Sequence, residues 1–177
     1  MRGRLFSVAV VASLAGAGIG RCEPTDPQAI LATVTTDPNT GLPSAALITA
    51  IAKWLVSVGF QPVQEIPTFV VVSEKTLIVL RQHVALGDVV AIYDDSSSTI
   101  YLAHGWTGDT PAGLSVIVHE MVHHLQHEAE SKYACSEERE RDAFVAQERW
   151  LMEFGTNLET DFEIDPFTLL VRTNCPF

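Results

Sequence analysis

The sequence predicts an α+β fold in which a small β-hairpin packs on helices. Two β-rich runs, residues 89–93 and 99–103, flank a polar turn of Asp and Ser, which is typical of a hairpin. Apolar residues recur at helical spacing before this hairpin, over residues 42–60, and after it, over residues 111–154. With 177 residues, of which 47% are hydrophobic, the chain can form one domain around one core.

The first 20 residues are typical of a secretory signal peptide. A basic start, MRGR, precedes the apolar run LFSVAVVASLAGAGIG, which is short for a membrane span. We expect cleavage near Ala17 or Gly20, and the alternative is an uncleaved anchor. The protein is therefore expected to be secreted or periplasmic, with no stable membrane span once the signal is removed.

Net charge limits the class of partner, and proline content indicates where the folded domain begins. The formal net charge is −11, which argues against nucleic acid and anionic membrane surfaces as partners. Residues 21–41 contain two Asp-Pro pairs and predict an extended lead-in. Residues 42–177 are expected to form a single domain.

Three cysteines, Cys22, Cys135 and Cys175, bear on the compartment. An exported protein meets oxidising conditions, so we expect a disulfide between Cys135 and Cys175, with two buried free thiols as the alternative. This bridge would close a loop of about 40 residues, which the chain-entropy model values at about 4 kcal/mol. The sequence has no close pair of cysteines, so cysteine is a poor candidate ligand for zinc.

The elements before the hairpin have recognisable ends. The first helix keeps its apolar spacing until Gly59, which is a natural stop. The β-branched run TFVVV, residues 68–72, predicts a strand. Ser73 then caps a second helix.

Three further helices are expected after the hairpin. The first starts near Pro111, with Asp109 or Thr110 as its N-cap, and runs to about residue 130. The second spans about residues 136–154. A short last helix after Asp165 would be held in place by the disulfide.

The central motif is His119-Glu120-x-x-His123. Residues four apart lie one turn apart on the same face of a helix, so the two imidazoles can bind one zinc ion. Glu120 is adjacent to the first ligand and is expected to act as general base on the zinc-bound water. A catalytic zinc usually has three protein ligands, so a third one is needed.

Helical phase selects Glu140 as the third ligand. With 100° per residue, Glu140 falls on the apolar inner face of the second helix, whereas Glu138 and Asp142 fall on the outer face and Glu137 is marginal. A carboxylate on an apolar face needs a partner, and a metal ion is one. The alternative is a buried pairing of Glu140 with an arginine, or a contact near the helix start.

The other histidines have different expected roles. His124 and His127 are interpreted as groups lying around the ligands or at the surface, with either one a candidate donor to the transition state. His83 and His104 are expected to be structural residues.

The stretches HEMVHHLQ and ERDAFVAQERWL resemble the gluzincin group of zinc metallopeptidases, which combine HExxH on one helix with a Glu on a following helix. They are also similar to small exported bacterial proteins of unknown function with the pattern HExVHxxQ…C…ExxAYxxQ, over about residues 89–154. The resemblance implies a zincin-like fold, zinc at His119, His123 and Glu140, and Glu120 as base.

One position departs from the gluzincin pattern. The usual Asp or Asn four residues beyond the third ligand is Phe144 here, so Phe144 is expected beside the ligands without replacing that group. If Glu138 were the ligand instead, Asp142 would fill that place, against the helical phase.

These observations predict an exported zinc-dependent metallohydrolase, in particular a peptidase. Zinc would lower the pKa of its water and polarise the scissile carbonyl, and Glu120 would move the proton to the leaving amine. A peptide or protein substrate is expected to pair with the strand TIYLA, residues 99–103, at the edge of the cleft. The alternatives are a non-catalytic structural zinc protein and a metal-free exported binding module.

Overall fold

The computed structural model describes residues 26–32, 36–37, 40–80 and 90–176. The mixed α+β prediction is confirmed for these residues. The predicted signal peptide, Cys22 and His83 lie outside them. The described helices are α1 (Pro27–Leu31), α2 (Ala45–Ser57), α3 (Glu74–Leu80), α4 (Pro111–Glu128), α5 (Ser136–Met152), α6 (Leu158–Phe162) and α7 (Pro166–Thr173), and the strands are β1 (Thr68–Val72), β2 (Ala91–Asp94) and β3 (Thr99–Ala103).

The three described strands form a sheet in the order β1-β3-β2. The predicted hairpin is present, because β2 pairs antiparallel with β3. β1 pairs parallel with the other side of β3, and α3 lies in the connection between them. The expectation that residues 99–103 offer an edge to a substrate is therefore wrong, since both sides of β3 are already paired. A hairpin pattern is local and does not reveal that an earlier strand will cover its second member.

Helix α4 is the central element of the core. Every residue from Leu114 to Gln126 is buried, so the helix has no solvent-facing side over this stretch. It contacts α5, α2 and β2. Trp54 of α2 and Trp150 of α5 meet edge to face at 5.1 Å. The histidine motif therefore lies inside the protein rather than on its surface.

The start of α4 is held by polar and aromatic side chains. Of the two expected caps, Thr110 is the one used, and its hydroxyl accepts from the Gly113 N–H at 3.0 Å. The Trp106 indole donates to the Gly113 carbonyl at 2.9 Å. Gly108 adopts a φ of 62°, and a Cβ there would collide with the Trp106 ring, so this turn requires glycine. These contacts set where the helix begins and hence the phase of its histidines.

The lead-in predicted over residues 21–41 is not extended throughout. Residues 27–31 form α1, with the Asp26 carboxylate accepting from the Gln28 N–H at 3.0 Å and Pro27 in the first turn. Ile30 is 2% exposed and belongs to the same apolar cluster as α2. An Asp-Pro pair serves a helix start as well as a turn, and burial of Ile30 decides between them.

The C-terminal helices pack along α5. The predicted Cys135–Cys175 disulfide is present, with a sequence separation of 40 residues, and it joins the start of α5 to the end of α7. The helix expected after Asp165 is α7, and the Asp165 side chain caps it by accepting from the Thr168 N–H. α6 was not predicted, because its five residues are too short to show a period. Within the described residues, no helix has both the length and the apolar character needed to cross a membrane.

Candidate metal centre

Helices α4 and α5 bring His119, His123 and Glu140 together. The Nε2 atoms of the two imidazoles are 3.2 Å apart. The Glu140 carboxylate lies 3.0 Å from His119 Nε2 and 3.3 Å from His123 Nε2. One ligand atom from each residue falls within 4.8 Å of the other two. Among the described residues, this is the group of His, Cys, Asp and Glu side chains that could hold a metal ion.

The donor set is buried on one side and open on the other. His119 and His123 are 9% and 7% exposed as residues, whereas the Glu140 side chain is 31% exposed. Glu140 is therefore the member of the donor set that solvent reaches most easily. Such an arrangement can take up a cation from solvent and still keep bulk water away from the imidazoles.

Each imidazole makes a second contact through its far nitrogen. His119 Nδ1 lies 3.0 Å from the amide oxygen of Gln147, and His123 Nδ1 lies 2.9 Å from that of Gln126. Metal-binding histidines usually donate their other N–H to an oxygen in this way. The residues present therefore fit a divalent cation, with two imidazole nitrogens and one carboxylate oxygen as donors.

The two glutamines were not identified from the sequence alone, although signals existed. Gln126 follows His119 by seven residues and so lies on the same helical face. Gln147 lies on the inner face of α5. Gln147 also supplies the polar partner that Phe144, at the usual Asp or Asn position of the gluzincin pattern, cannot supply. It binds the ligand imidazole from a position seven residues beyond Glu140, and Phe144 packs edge to face on the His119 ring at 4.8 Å.

The surroundings of Glu140 favour its ionised form. Burial alone would raise the pKa of Glu140, but hydrogen bonds and charge from His119 and His123 outweigh it and hold the pKa of this carboxyl well below its ordinary value. That stabilisation needs a cation at the imidazoles. When both rings are neutral and donate through Nδ1, both Nε2 atoms and the carboxylate are hydrogen-bond acceptors facing one another. A proton or a metal ion relieves that repulsion.

Glu120 has the opposite character. It is 8% exposed, and burial raises its pKa to about 7. The His119 charge opposes this rise, the Glu140 carboxylate adds to it, and the backbone N–H of Tyr93 donates to Glu120 and lowers the pKa. A carboxyl that titrates near neutrality can both accept and release a proton. Glu120 therefore lies close to the backbone of Tyr93 in strand β2.

Residues 40–177 match the model of a family described as a domain of unknown function, DUF6647. The chain belongs to the DUF6647 family. No curated protein and no solved structure matches the chain. The match includes every residue of the candidate centre, so the centre lies within the DUF6647 domain.

The acidic residues near the start of α5 other than Glu140 do not take part in the candidate centre. The Glu138 carboxylate accepts from the Ala134 N–H at 2.7 Å, and Glu137 accepts from the Ser136 hydroxyl at 3.0 Å. Asp142 is exposed. The structure thus brings Glu140 to the imidazoles and leaves Glu137, Glu138 and Asp142 elsewhere.

Arg139 connects the candidate centre to the turn between β2 and β3. Its guanidinium binds the Asp95 carboxylate in the β2–β3 turn with both terminal nitrogens, one of them at 2.7 Å. The same group lies 3.3 Å from the backbone carbonyl of His123 and 3.4 Å from the amide oxygen of Gln126. Arg139 therefore pairs with Asp95 rather than with Glu140, and it also contacts the backbone of His123.

His124 and His127 point away from the three ligand atoms. His124 is 2% exposed, its Nε2 lies 2.6 Å from the Glu65 carbonyl, and its Nδ1 lies 3.0 Å from the Tyr93 hydroxyl. His127 is exposed, with Asp95 at 3.6 Å. His104 is exposed in the turn after β3. His124 thus joins a loop and a strand to α4.

Proposed function

We propose that the DUF6647 chain is an exported zinc-dependent hydrolase acting on peptides or proteins. The observation that carries the proposal is the convergence of two imidazole nitrogens and a carboxylate oxygen within 4.8 Å, with buried Glu120 adjacent to the first ligand. Nitrogen and oxygen donors of this kind suit zinc, and three protein ligands are usual for a catalytic site. The Cys135–Cys175 disulfide supports an oxidising compartment.

The roles follow from the positions of the side chains. His119, His123 and Glu140 would hold the ion, which when bound acidifies water and polarises a carbonyl group. Glu120 would take the proton from water and deliver it to the leaving amine, and a pKa of about 7 suits both steps near neutral pH. Burial keeps bulk water away from the imidazoles.

A peptide substrate would bind on the side of β2 that is not paired with β3. The Ala103 N–H donates to the Val90 carbonyl at 2.8 Å, and partners alternate along an antiparallel pair. The backbone groups of Ala91 and Tyr93 therefore face away from β3, and the Tyr93 N–H meets Glu120. Ala91 and Tyr93 are only 7% and 8% exposed, so an extended peptide would pair with this side of β2, in place of the strand expected from the sequence, once neighbouring groups moved aside.

A structural zinc site is the second candidate, and one observation favours it. The two imidazoles are 9% and 7% exposed, and their contacts with Glu140 join α4 to α5. In that case the ion would stabilise the helix pair and Glu120 would have no reaction to serve. Glu120→Gln separates the two functions, because a hydrolase loses turnover and keeps its zinc, whereas a structural site loses nothing.

Zinc content after mild purification is the first test. We expect about one equivalent per chain, and less than about a tenth of an equivalent would contradict both zinc functions. That result would leave the metal-free exported binding module. Hydrolysis of a quenched peptide library, with and without a chelator, then distinguishes the catalytic function from the structural one.

A further inference from the structure

The amide of Gln126 has only one orientation that satisfies its neighbours. Its Nε2 donates to the backbone carbonyl of Arg139 at 2.9 Å, and a carbonyl can only accept. Arg139 Nε, which can only donate, lies 3.4 Å from Gln126 Oε1. The oxygen of this amide must therefore be the atom that faces His123 Nδ1 at 2.9 Å.

The amide of Gln147 is oriented by a relay that also ends at a backbone carbonyl. The Ser115 hydroxyl donates to the Ala112 carbonyl at 2.7 Å, which uses its one hydrogen. Ser115 must then accept from Gln147 Nε2, which lies 3.1 Å away. The oxygen of Gln147 consequently faces His119 Nδ1 at 3.0 Å. Gln147 and Ser115 are 4% and 0% exposed, so solvent does not compete for these bonds.

An amide oxygen can only accept, so both Nδ1 atoms must carry hydrogen. We propose that Gln126 and Gln147 are positioning residues that assign the Nδ1–H tautomer to His123 and His119 and so present both Nε2 lone pairs to a divalent cation. The inference rests on the metal centre proposed above, but the tautomers exist without the ion. Glu140 competes with the glutamines, because its carboxylate favours hydrogen on Nε2.

The tautomers can be read directly in metal-free protein by ¹⁵N NMR of the imidazoles. The full chain carries Glu140→Ala, which removes the competing carboxylate, and the pH is set where both rings are neutral. We expect Nδ1–H on both rings. Gln126→Leu should move His123 towards Nε2–H and leave His119 unchanged, and Gln147→Leu should do the reverse. Each histidine is the internal control for the other.

The second readout is the zinc affinity of variants that keep Glu140. We expect each leucine variant to bind zinc about 10–100-fold more weakly, because partners of ligating histidines typically contribute that much. Gln147→Glu should recover most of the affinity, since a carboxylate also accepts from Nδ1–H, and Gln126→Glu should recover less, because its carboxylate cannot donate to the Arg139 carbonyl. Gln28→Leu is the matched control, because the Gln28 amide also donates to a backbone carbonyl, that of Glu153 at 3.4 Å, outside the centre.

Two outcomes would overturn the inference: leucine variants that keep Nδ1–H on the affected ring, or altered tautomers with unchanged zinc affinity. If a leucine variant does not fold, Ser115→Ala releases only the Gln147 amide, and His119 alone should lose its single tautomer. A wild-type chain that binds no zinc would refute the proposed function, while the ¹⁵N spectra would still decide which tautomers the glutamines impose.

Discussion

The four histidines of α4 form two groups that share one helix and differ in their surroundings. His119 and His123 keep Nε2 directed at a carboxylate, because their Nδ1 atoms are bound by glutamines. His124 has both nitrogens engaged, by a backbone carbonyl and a tyrosine hydroxyl, and His127 is exposed. Spacing alone therefore does not make a metal ligand. The groups behind and opposite each ring decide its role.

The largest expected effect distinguishes a catalytic role from a structural role for the site that contains His119 and His123. Glu120→Gln should lower kcat by about 10²–10⁴-fold, because a general base typically contributes that much, while the protein keeps its zinc. Peptide turnover and zinc content are measured on the same preparation. Unchanged turnover with a full equivalent of zinc would reject the catalytic role and favour the structural site.

The next effect compares one member of each group directly. His123→Ala should weaken zinc binding by about two to four orders of magnitude, since the roughly 10–16 kcal/mol of a structural zinc site is divided among its ligands. His127→Ala, on the next turn of the same helix, should bind zinc like the wild type. Competition with a chromophoric chelator gives both constants, and equal losses in the two variants would refute the assignment.

The buried carboxyl makes a pH prediction for the metal-free protein. The pKa of Glu120 rises from 4.5 to about 7 on folding. Below pH 4.5 both states are protonated. Between about pH 4.5 and 7 the unfolded chain loses this proton first, so the free energy of unfolding falls as pH rises, by up to about 3 kcal/mol.

Glu120→Gln cannot ionise and should not show that loss. In chelator, the variant should match the wild type at pH 4 and exceed it in stability at pH 8, as measured by denaturant unfolding. If the two proteins keep the same difference in stability at both pH values, Glu120 does not titrate near neutrality in the folded state.

A smaller effect tests the second group. His124→Ala should lower the free energy of unfolding by about 2 kcal/mol, because two buried hydrogen bonds and their packing are lost. His127→Ala should change it by less than about 0.5 kcal/mol, as expected for an exposed residue. Zinc affinity of folded His124→Ala should stay near the wild-type value, and a hundredfold loss would place His124 with the first group.

Local patterns account for what could be predicted about the fold. The positions of α2, β1, the hairpin, α4 and α5 follow from periodicity and capping residues that lie within a few residues of one another. The parallel partner of β3 could not be predicted in this way. Pairing between distant segments depends on how α3 packs, and no single stretch of sequence contains that information.

The sequence by itself determined that His119 and His123 share a helical face and that Glu140 lies on the inner face of the next helix, because helical phase is a property of the local chain. Only the tertiary structure decided that Gln126 and Gln147 would reach the far side of each ring, that β2 rather than β3 would meet Glu120, and that His124 would be buried against Glu65 and Tyr93. These contacts depend on the angle and distance at which α4, α5 and the sheet pack, and that geometry is set by the core as a whole.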